Sequence, residues 1–157
     1  MNNMQLNYEI DHMNSISADA LDRHDYETWI NLFTEDGFYT VQSRENFDNN
    51  LPLALIRLES QNMMKDRIYG CMDTIFHLPY YTKHLLGKSL IISYNSSCIE
   101  TRTNYSVFRT KPTKQTEVFN VGCYHDVWVE TDNGLKIKQR NCVYDSEMVL
   151  NALIYPI

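Results

Sequence analysis

The chain has 157 residues, 14 lysines and arginines against 20 aspartates and glutamates, a formal net charge of −6, and 43% hydrophobic residues. This predicts one globular domain over residues 1–157. The acidic balance excludes a protein that follows nucleic-acid phosphates, because such proteins collect lysine and arginine on one surface. No run approaches the roughly 20 apolar residues of a membrane span, and the first residues lack a secretory signal pattern, so we expect a cytoplasmic protein without membrane contact.

The beginning of the chain has helical periodicity. Apolar residues recur at helical spacing from Leu6 to Leu21 and predict an amphipathic first helix, with Asn14 on another face. Asp25 is a suitable N-cap for a second helix, and Gly37 is suited to end that helix as a left-handed C-cap. Together these segments predict a helical hairpin.

Strands dominate the rest of the sequence. We predict a first strand over 38–43, a polar loop over 44–50, a second strand over 53–58, and a third helix over 61–72 that ends near Gly70. Four segments rich in Val, Ile, Thr and Tyr then predict long antiparallel strands over 85–92, 98–110, 117–131 and 135–149. Helices followed by strands predict an α+β fold with the helices packed on one face of a curved sheet.

The strand over 117–131 has two different faces. One face carries Phe119, Val121, Cys123, Val127 and Val129, and the other carries Tyr124, Asp126 and Trp128. We expect the first, apolar face to cover the helices. The second face suits contacts with neighbouring subunits, because tyrosine, tryptophan and arginine are enriched in interfaces.

Charged residues within the strands support an interface on that second face, although an ordinary solvated sheet face is the alternative. They are Arg102, Arg109, Glu117, His125, Asp126 and Arg140. The chain also has eleven tyrosines beside six phenylalanines and two tryptophans, an excess that favours half-buried contact surface.

One cysteine and histidine pattern comes close to a metal site. Cys123 and His125, followed by Cys142 and Asp145, resemble the paired loops that hold a Rieske iron–sulfur cluster. Asp145 stands where the cluster needs a second histidine, and both halves lie in strands rather than in loops. We therefore expect no metal or cofactor site in this chain and expect both cysteines to pack as core residues.

A cone-shaped α+β fold can also enclose a pocket, so two alternatives stay open. The first is a stand-alone isomerase or dehydratase with acid and base groups inside the cone. Its candidates are Tyr8, Asp11 and His12 from the first helix, with Tyr124 or Asp126 from the sheet. The second is a dimeric module that binds a small ligand.

Several ordered signals resemble one protein family. They are Trp29, Leu32-Phe33-Thr34-Glu35-Asp36-Gly37, Tyr39, Met64-Lys65-Asp66-Arg67-Ile68, His84 and Thr116-Glu117-Val118-Phe119. In order and spacing they resemble the small, β subunit of aromatic-ring-hydroxylating dioxygenases, over almost the whole chain. The segment 59–68 is most similar to the branch that acts on carboxylated aromatics, such as terephthalate, salicylate or anthranilate.

The resemblance implies a cystatin-like or NTF2-like (nuclear-transport-factor-like) cone, in which a bent, mixed but mostly antiparallel sheet wraps the N-terminal helices. It also implies a non-catalytic subunit without cofactors, because the large, α subunit carries the Rieske [2Fe-2S] cluster and the mononuclear Fe(II). The implied partners are the large subunit and copies of this chain, as the trimeric base of a hetero-hexamer, with electron-transfer components reached indirectly. The candidates for interface or structural roles are Trp29, Arg67, His84, Arg109, Tyr124, Trp128 and Arg140.

Overall fold

The structure, a computed structural model, describes residues 3–146 and 153–157. The helices are α1 (Asn3–Asp22), α2 (Tyr26–Asn31), α3 (Arg44–Asp48) and α4 (Gln61–Tyr69), and α4 continues into a π-helical turn at Gly70–Thr74. The strands are β1 (Phe33–Ser43), β2 (Ile56–Leu58), β3 (Tyr81–Leu86), β4 (Leu90–Tyr94), β5 (Ile99–Thr110), β6 (Glu117–Thr131) and β7 (Gly134–Tyr144). In the described part, no helix is long and apolar enough to cross a membrane.

The strands form one curved, unclosed sheet in the order β2-β1-β7-β6-β5-β3, with β4 also paired to β5. The β1–β7 pair is parallel and the other pairs are antiparallel. This arrangement confirms the predicted α+β cone with a mixed, mostly antiparallel sheet. The two longest antiparallel pairs, β5–β6 and β6–β7, build the centre of the sheet.

The core lies between the helices and one face of the sheet. Leu6 and Ile10 of α1 are fully buried there. Trp29 of α2 packs edge-on against Phe33 and Tyr39 of β1, with ring centroids 5.3 and 5.1 Å apart. Edge-to-face packing of this kind suits aromatic quadrupoles and fixes the angle at which the helical hairpin meets the sheet.

Residues 153–157 return to this core. The Tyr39 hydroxyl donates to the carbonyl of Ile157 at 2.8 Å, and the backbone N–H of Ile157 donates back to the same hydroxyl at 2.9 Å. Both residues are almost completely buried. One tyrosine in the first strand therefore holds the end of the described chain.

The second helix is shorter than predicted. It ends at Asn31, and β1 already begins at Phe33. The backbone N–H of Ile137 in β7 donates to the Leu32 carbonyl at 2.9 Å, so pairing with the sheet overrides the helical pattern. Gly37 lies inside β1 at a register shift rather than at a helix C-cap, and a Cβ there would approach the Phe33 side chain to 2.8 Å.

The polar segment 44–50, predicted as a loop, contains α3. The Ser43 hydroxyl accepts a hydrogen bond from the backbone N–H of Asn46 at 3.2 Å and caps this helix. Other boundaries lie closer to the predictions. Asp25 caps α2, β2 covers Ile56–Leu58 and α4 ends at Tyr69. The last strand, β7, ends at Tyr144, and residues 147–149 of the predicted strand lie outside the described residues.

The segment 85–92, predicted as one strand, contains the end of β3, a break and the start of β4. Both strands pair with β5. In the break between them, the backbone N–H of Gly87 donates to the Asn104 carbonyl at 2.8 Å. The N–H of Ser89 donates to Asp11 Oδ1 on α1 at 2.9 Å. The Asp11 carboxylate of α1 therefore accepts the hydrogen bond of a backbone N–H at the break. Strand periodicity alone does not reveal this contact.

The faces of β6 are the reverse of the prediction. Tyr124, Asp126 and Trp128 are buried beneath the helices, whereas Val121 is exposed and His125 is half-buried on the outer face. The assignment of the ring-bearing face to neighbouring subunits is therefore wrong. Alternation defines two faces but does not say which one the helices cover, and here the polar groups are paired inside.

We predict that Gly122→Ala destabilises the protein by about 2 kcal/mol or more, because a Cβ at this position of β6 would lie 2.1 Å from the Val143 carbonyl oxygen of β7. Urea unfolding at neutral pH measures the loss. Gly87→Ala is the matched control, since its Cβ would lie 3.5 Å from the nearest atom, and it should change the free energy of unfolding far less. Equal losses in both variants would contradict the close approach of β6 and β7.

Candidate functional site

A buried ion pair occupies the interior of the cone. Arg140 of β7 lies beside Asp126 of β6, and the two residues face each other in the strand register. The guanidinium donates from Nε to Asp126 Oδ1 at 2.9 Å and from Nη2 to Oδ2 at 2.7 Å. Both side chains are almost completely buried. Such a two-point contact is the preferred geometry of arginine with a carboxylate.

Arg140 also connects the sheet to α1. Its Nη1 donates to the Ser17 hydroxyl at 3.0 Å, and its Nη2 donates to the side-chain oxygen of Asn14. The guanidinium lies over the Tyr124 ring, 4.4 Å from the centroid. Burial alone would lower the pKa of Arg140, but the charge and hydrogen bonds of Asp126 outweigh it and raise the pKa, so the arginine stays charged.

Neutral side chains complete this interior network. Asn14 Nδ2 donates to the Ser89 hydroxyl at 3.0 Å and lies 3.4 Å from the hydroxyl of Thr103. That threonine donates to Ser89 at 2.9 Å. Nearby, Trp128 Nε1 donates to the Thr101 hydroxyl at 2.9 Å. The polar groups around Arg140 are therefore paired with one another, as buried polar groups generally are.

Sequence reasoning missed the contribution of α1 to this network. The helical pattern predicts Asn14 on another face of α1, yet Asn14 is buried together with Ser17. The spacing of Ile10, Asn14, Ser17 and Leu21 follows one helical face, so two polar residues lie inside an apolar stripe. That interruption is the signal that could have indicated a buried polar partner on the sheet.

The structure does not bring the acid–base candidates together. Tyr8 is 71% exposed, and its ring stacks on the exposed His12 with centroids 6.2 Å apart. Asp11 accepts the backbone N–H of Ser89. Asp126 is buried beneath α1 and paired with Arg140. These groups offer no common point at which a substrate could exchange a proton.

The residues of the cluster-like pattern lie on opposite faces of the sheet. Cys142 points into the core and donates to the Ile157 carbonyl at 3.3 Å, and burial raises the pKa of its thiol to about 12. Cys123 and His125 lie on the outer face, so the expectation that both cysteines pack in the core is wrong for Cys123. Among the described residues, no group of three or more His, Cys, Asp or Glu side chains could hold a metal ion. Asp145 forms an ion pair with Arg44.

The other predicted interface or structural candidates are also buried or engaged. Arg109 is buried, pairs with Glu117 at 2.6 Å, and lies 4.1 Å from the Phe119 ring centroid. Arg67 of α4 donates from Nη2 to the carbonyls of Leu153 and Ile154, at 3.1 and 3.0 Å. The Arg67 contacts fix α4 to residues 153–157.

His84 connects β3 to the end of α1. Its Nδ1 lies 2.7 Å from Asp22 Oδ1, and its backbone N–H donates to the same carboxylate. Burial alone would raise the pKa of Asp22, but the hydrogen bonds and electrostatic attraction of His84, with the charge of Lys83, hold the pKa below 3.8. This carboxylate therefore stays ionised at neutral pH and stabilises the helix–sheet contact.

We expect Asp126→Asn to lower the free energy of unfolding by about 3–5 kcal/mol, because it leaves the Arg140 charge buried without a counterion. Chemical denaturation at pH 7 measures the effect. Asp36→Asn is the matched control, since it breaks the exposed Asp36–Lys138 pair and should cost far less. A loss no larger than that of the control would show that the interior pair is unimportant.

The Asp22–His84 contact predicts an acid-dependent loss of stability. The pKa of Asp22 is lower in the folded chain than its ordinary value of 3.8, so the unfolded chain binds the proton first. The stability difference between wild type and Asp22→Asn should therefore be largest above pH 3.8 and shrink as the pH falls below it. The test is to measure the free energy of unfolding of both proteins between about pH 2.5 and 7, which extends about one unit or more to either side of pH 3.8.

His84→Gln serves as the control for that experiment, because it removes the ring that lowers the pKa of Asp22. In the His84→Gln background, the acid-dependent part of the effect of Asp22→Asn should become smaller. An unchanged pH profile would refute the assignment.

Comparison with known proteins agrees with this architecture. Residues 17–151 match the family described as "Ring hydroxylating beta subunit". The anthranilate 1,2-dioxygenase small subunit of Burkholderia cepacia is 30% identical over 137 residues, which cover 87% of this chain and 85% of that protein. The terephthalate 1,2-dioxygenase terminal oxygenase component subunit beta 2 of a Comamonas species is 29% identical over 144 residues, covering 92% and 94%.

A solved structure shows the same fold throughout. It is the crystal structure of a beta subunit ascribed to an aromatic-ring-hydroxylating dioxygenase of Novosphingobium aromaticivorans, with 29% identity, a TM-score of 0.89 and 98% of each chain covered. The predicted family resemblance is thereby confirmed. This chain belongs to the ring-hydroxylating beta subunit family.

Proposed function

We propose that this chain is the non-catalytic small subunit of a multicomponent dioxygenase that oxidises an aromatic acid in the cytoplasm. The family match supports a subunit role, and relatives named for anthranilate and terephthalate dioxygenases support the substrate class. In this proposal the large subunit carries the Rieske [2Fe-2S] cluster and the mononuclear Fe(II). The small subunit stabilises the geometry of that assembly.

The buried network around Arg140 and Asp126 is the observation on which the proposal depends. A general acid or base must have an atom free to reach the substrate. Instead, Arg140 directs its donors at Asp126, Ser17 and Asn14, all within this chain. The cone therefore supplies a rigid body rather than a reaction site, and its function falls to its outer surface.

An apolar area on the outer sheet face suits contact with neighbouring subunits. We define the outer sheet patch as Tyr81, Leu85, Phe108, Val118 and Val121. Pairing aligns Leu85 with Ser106 and Ser106 with Val121, so these side chains lie side by side across β3, β5 and β6. Leu85 is 60% exposed and Val118 is 55% exposed. A group of exposed apolar side chains on one sheet face marks an interaction site.

We assign this patch to contacts within an assembly of three small subunits beneath three large ones, which electron-transfer components reach only through the large subunit. The buried candidates then have structural roles. Trp29, Arg109, Tyr124, Trp128 and Arg140 keep the cone rigid, and Arg67 and His84 fix its outer elements, so that the patch is presented in one shape.

Co-expression with the large-subunit gene tests the proposal. The two chains should co-purify, and oxygenase activity should depend on the small subunit. Val121→Asp should weaken the assembly because it places a charge in the patch, while leaving the fold of the isolated chain unchanged by circular dichroism. Leu53→Asp, at a 71% exposed apolar position outside the sheet, is the control. Failure to co-purify, with undiminished oxygenase activity in the absence of this chain, would overturn the proposal.

A further inference from the structure

A second feature of the outer sheet face is a pocket that the assembly role does not use. It has a volume of about 500 Å³ and lies between α3, the start of β4 and the outer faces of β5, β6 and β7. This volume falls within the range of about 300–1,000 Å³ typical of small-molecule sites. We call it the outer pocket, and its lining residues are Arg44, Phe47, Asp48, Lys88, Leu90, Arg102, Asn104, Cys123, His125 and Val143.

The outer pocket has two cations without partners. Lys88 and Arg102 are exposed, and neither side chain makes a hydrogen bond or an ion pair with the described part of the chain. The third cation, Arg44, is paired with Asp145 outside the lining. Asp48 is the one carboxylate among the lining residues. With Arg44 counted as neutralised by Asp145, Lys88 and Arg102 against Asp48 leave an excess of about one positive charge, which suits a single carboxylate.

His125 does not add to that charge. Burial is the largest effect on its ring, and the nearby Arg102 acts in the same direction, so the pKa of His125 lies below its ordinary value of 6.5. At neutral pH the ring is therefore mostly neutral and presents a flat surface at the base of the pocket. Register pairing places His125 directly opposite Arg102 on the neighbouring strand.

Apolar groups form the other part of the wall. The half-buried Phe47 of α3 packs on His125, with ring centroids 4.6 Å apart. Leu90 is 63% exposed, and it pairs in register with Arg102. Flat aromatic and aliphatic surface thus lies next to unpaired cations. That combination suits a planar apolar ring that carries one negative charge. The ring would pack on the apolar surface, and its charge would pair with the cations.

We infer that the outer pocket binds a small aromatic carboxylate, with its ring against Phe47 and Leu90 and its carboxylate between Arg102 and Lys88. This gives the small subunit a ligand site of its own, beyond its proposed role in assembly. The site is on the opposite face of the sheet from the buried Arg140–Asp126 pair. Binding therefore needs no opening of the cone.

Titration calorimetry of the full chain with benzoate as the probe tests the inference. We expect saturable binding with one site per chain. Acetate, which lacks the ring, and benzyl alcohol, which lacks the charge, should each bind at least about tenfold more weakly, which corresponds to about 1.4 kcal/mol. Equal affinities for benzyl alcohol and benzoate would overturn the inference, because they would show that the cations contribute nothing.

Arg102→Gln is the decisive variant. Since the Arg102 side chain has no hydrogen bond or ion pair in the described chain, the substitution should leave the unfolding midpoint without ligand unchanged and weaken benzoate binding by about tenfold or more. Phe47→Leu should weaken binding of the ring. Arg57→Gln, which breaks an exposed pair with Glu59 away from the pocket, is the control and should bind benzoate like wild type.

Two outcomes would refute the inference. One is benzoate binding that is absent, or identical in wild type and Arg102→Gln. The other is binding by the isolated chain that disappears in the purified complex with the large subunit, because this would assign the cations to an acidic group of a neighbouring chain. Benzoate binding that is retained in the complex with the large subunit supports a small-molecule site. This result is independent of the Val121→Asp experiment, which tests the assembly role.

Discussion

The buried pair of Arg140 and Asp126 is the constraint on which the rest of the structure depends. Two charges inside a protein are costly unless each is fully paired, so the interior must supply every partner. The sheet supplies the carboxylate, and α1 supplies Asn14 and Ser17. Because these acceptors lie on one helical face, α1 can dock in only one rotation and at one depth. Apolar packing alone would tolerate small shifts that this network does not.

The same constraint separates structure from function in this fold. A cone of helix and sheet can hold a reaction site only if its interior is open and its polar groups are free. Here the interior is committed to holding the cone together. Recognition of partners and ligands then falls to the outer sheet face, where the outer sheet patch and the outer pocket lie on neighbouring parts of the same strands.

The sequence predicted the α+β class, the family and the element order except for α3 and the break between β3 and β4, because periodicity, capping residues and ordered motifs are local signals. It did not predict which face of β6 is inside. Tyr124, Asp126 and Trp128 looked like an interface because the partners that pair Asp126 and Trp128 come from β7 and β5. Likewise, Gly37 suggested a helix end because its role depends on pairing of β1 with β7. The failures therefore lie where distant segments decide the outcome.

Parallel pairing of β1 with β7 has a consequence for how the chain is made. Thr40 meets Asn141 across 101 residues, so β1 lacks one neighbour until β7 has been synthesised. Until then, one edge of β1 is open and α1 lacks its arginine partner. Contacts this distant in sequence slow folding, because a long loop must close before they form. We therefore expect the nascent chain to complete its core only after β7 has emerged from the ribosome.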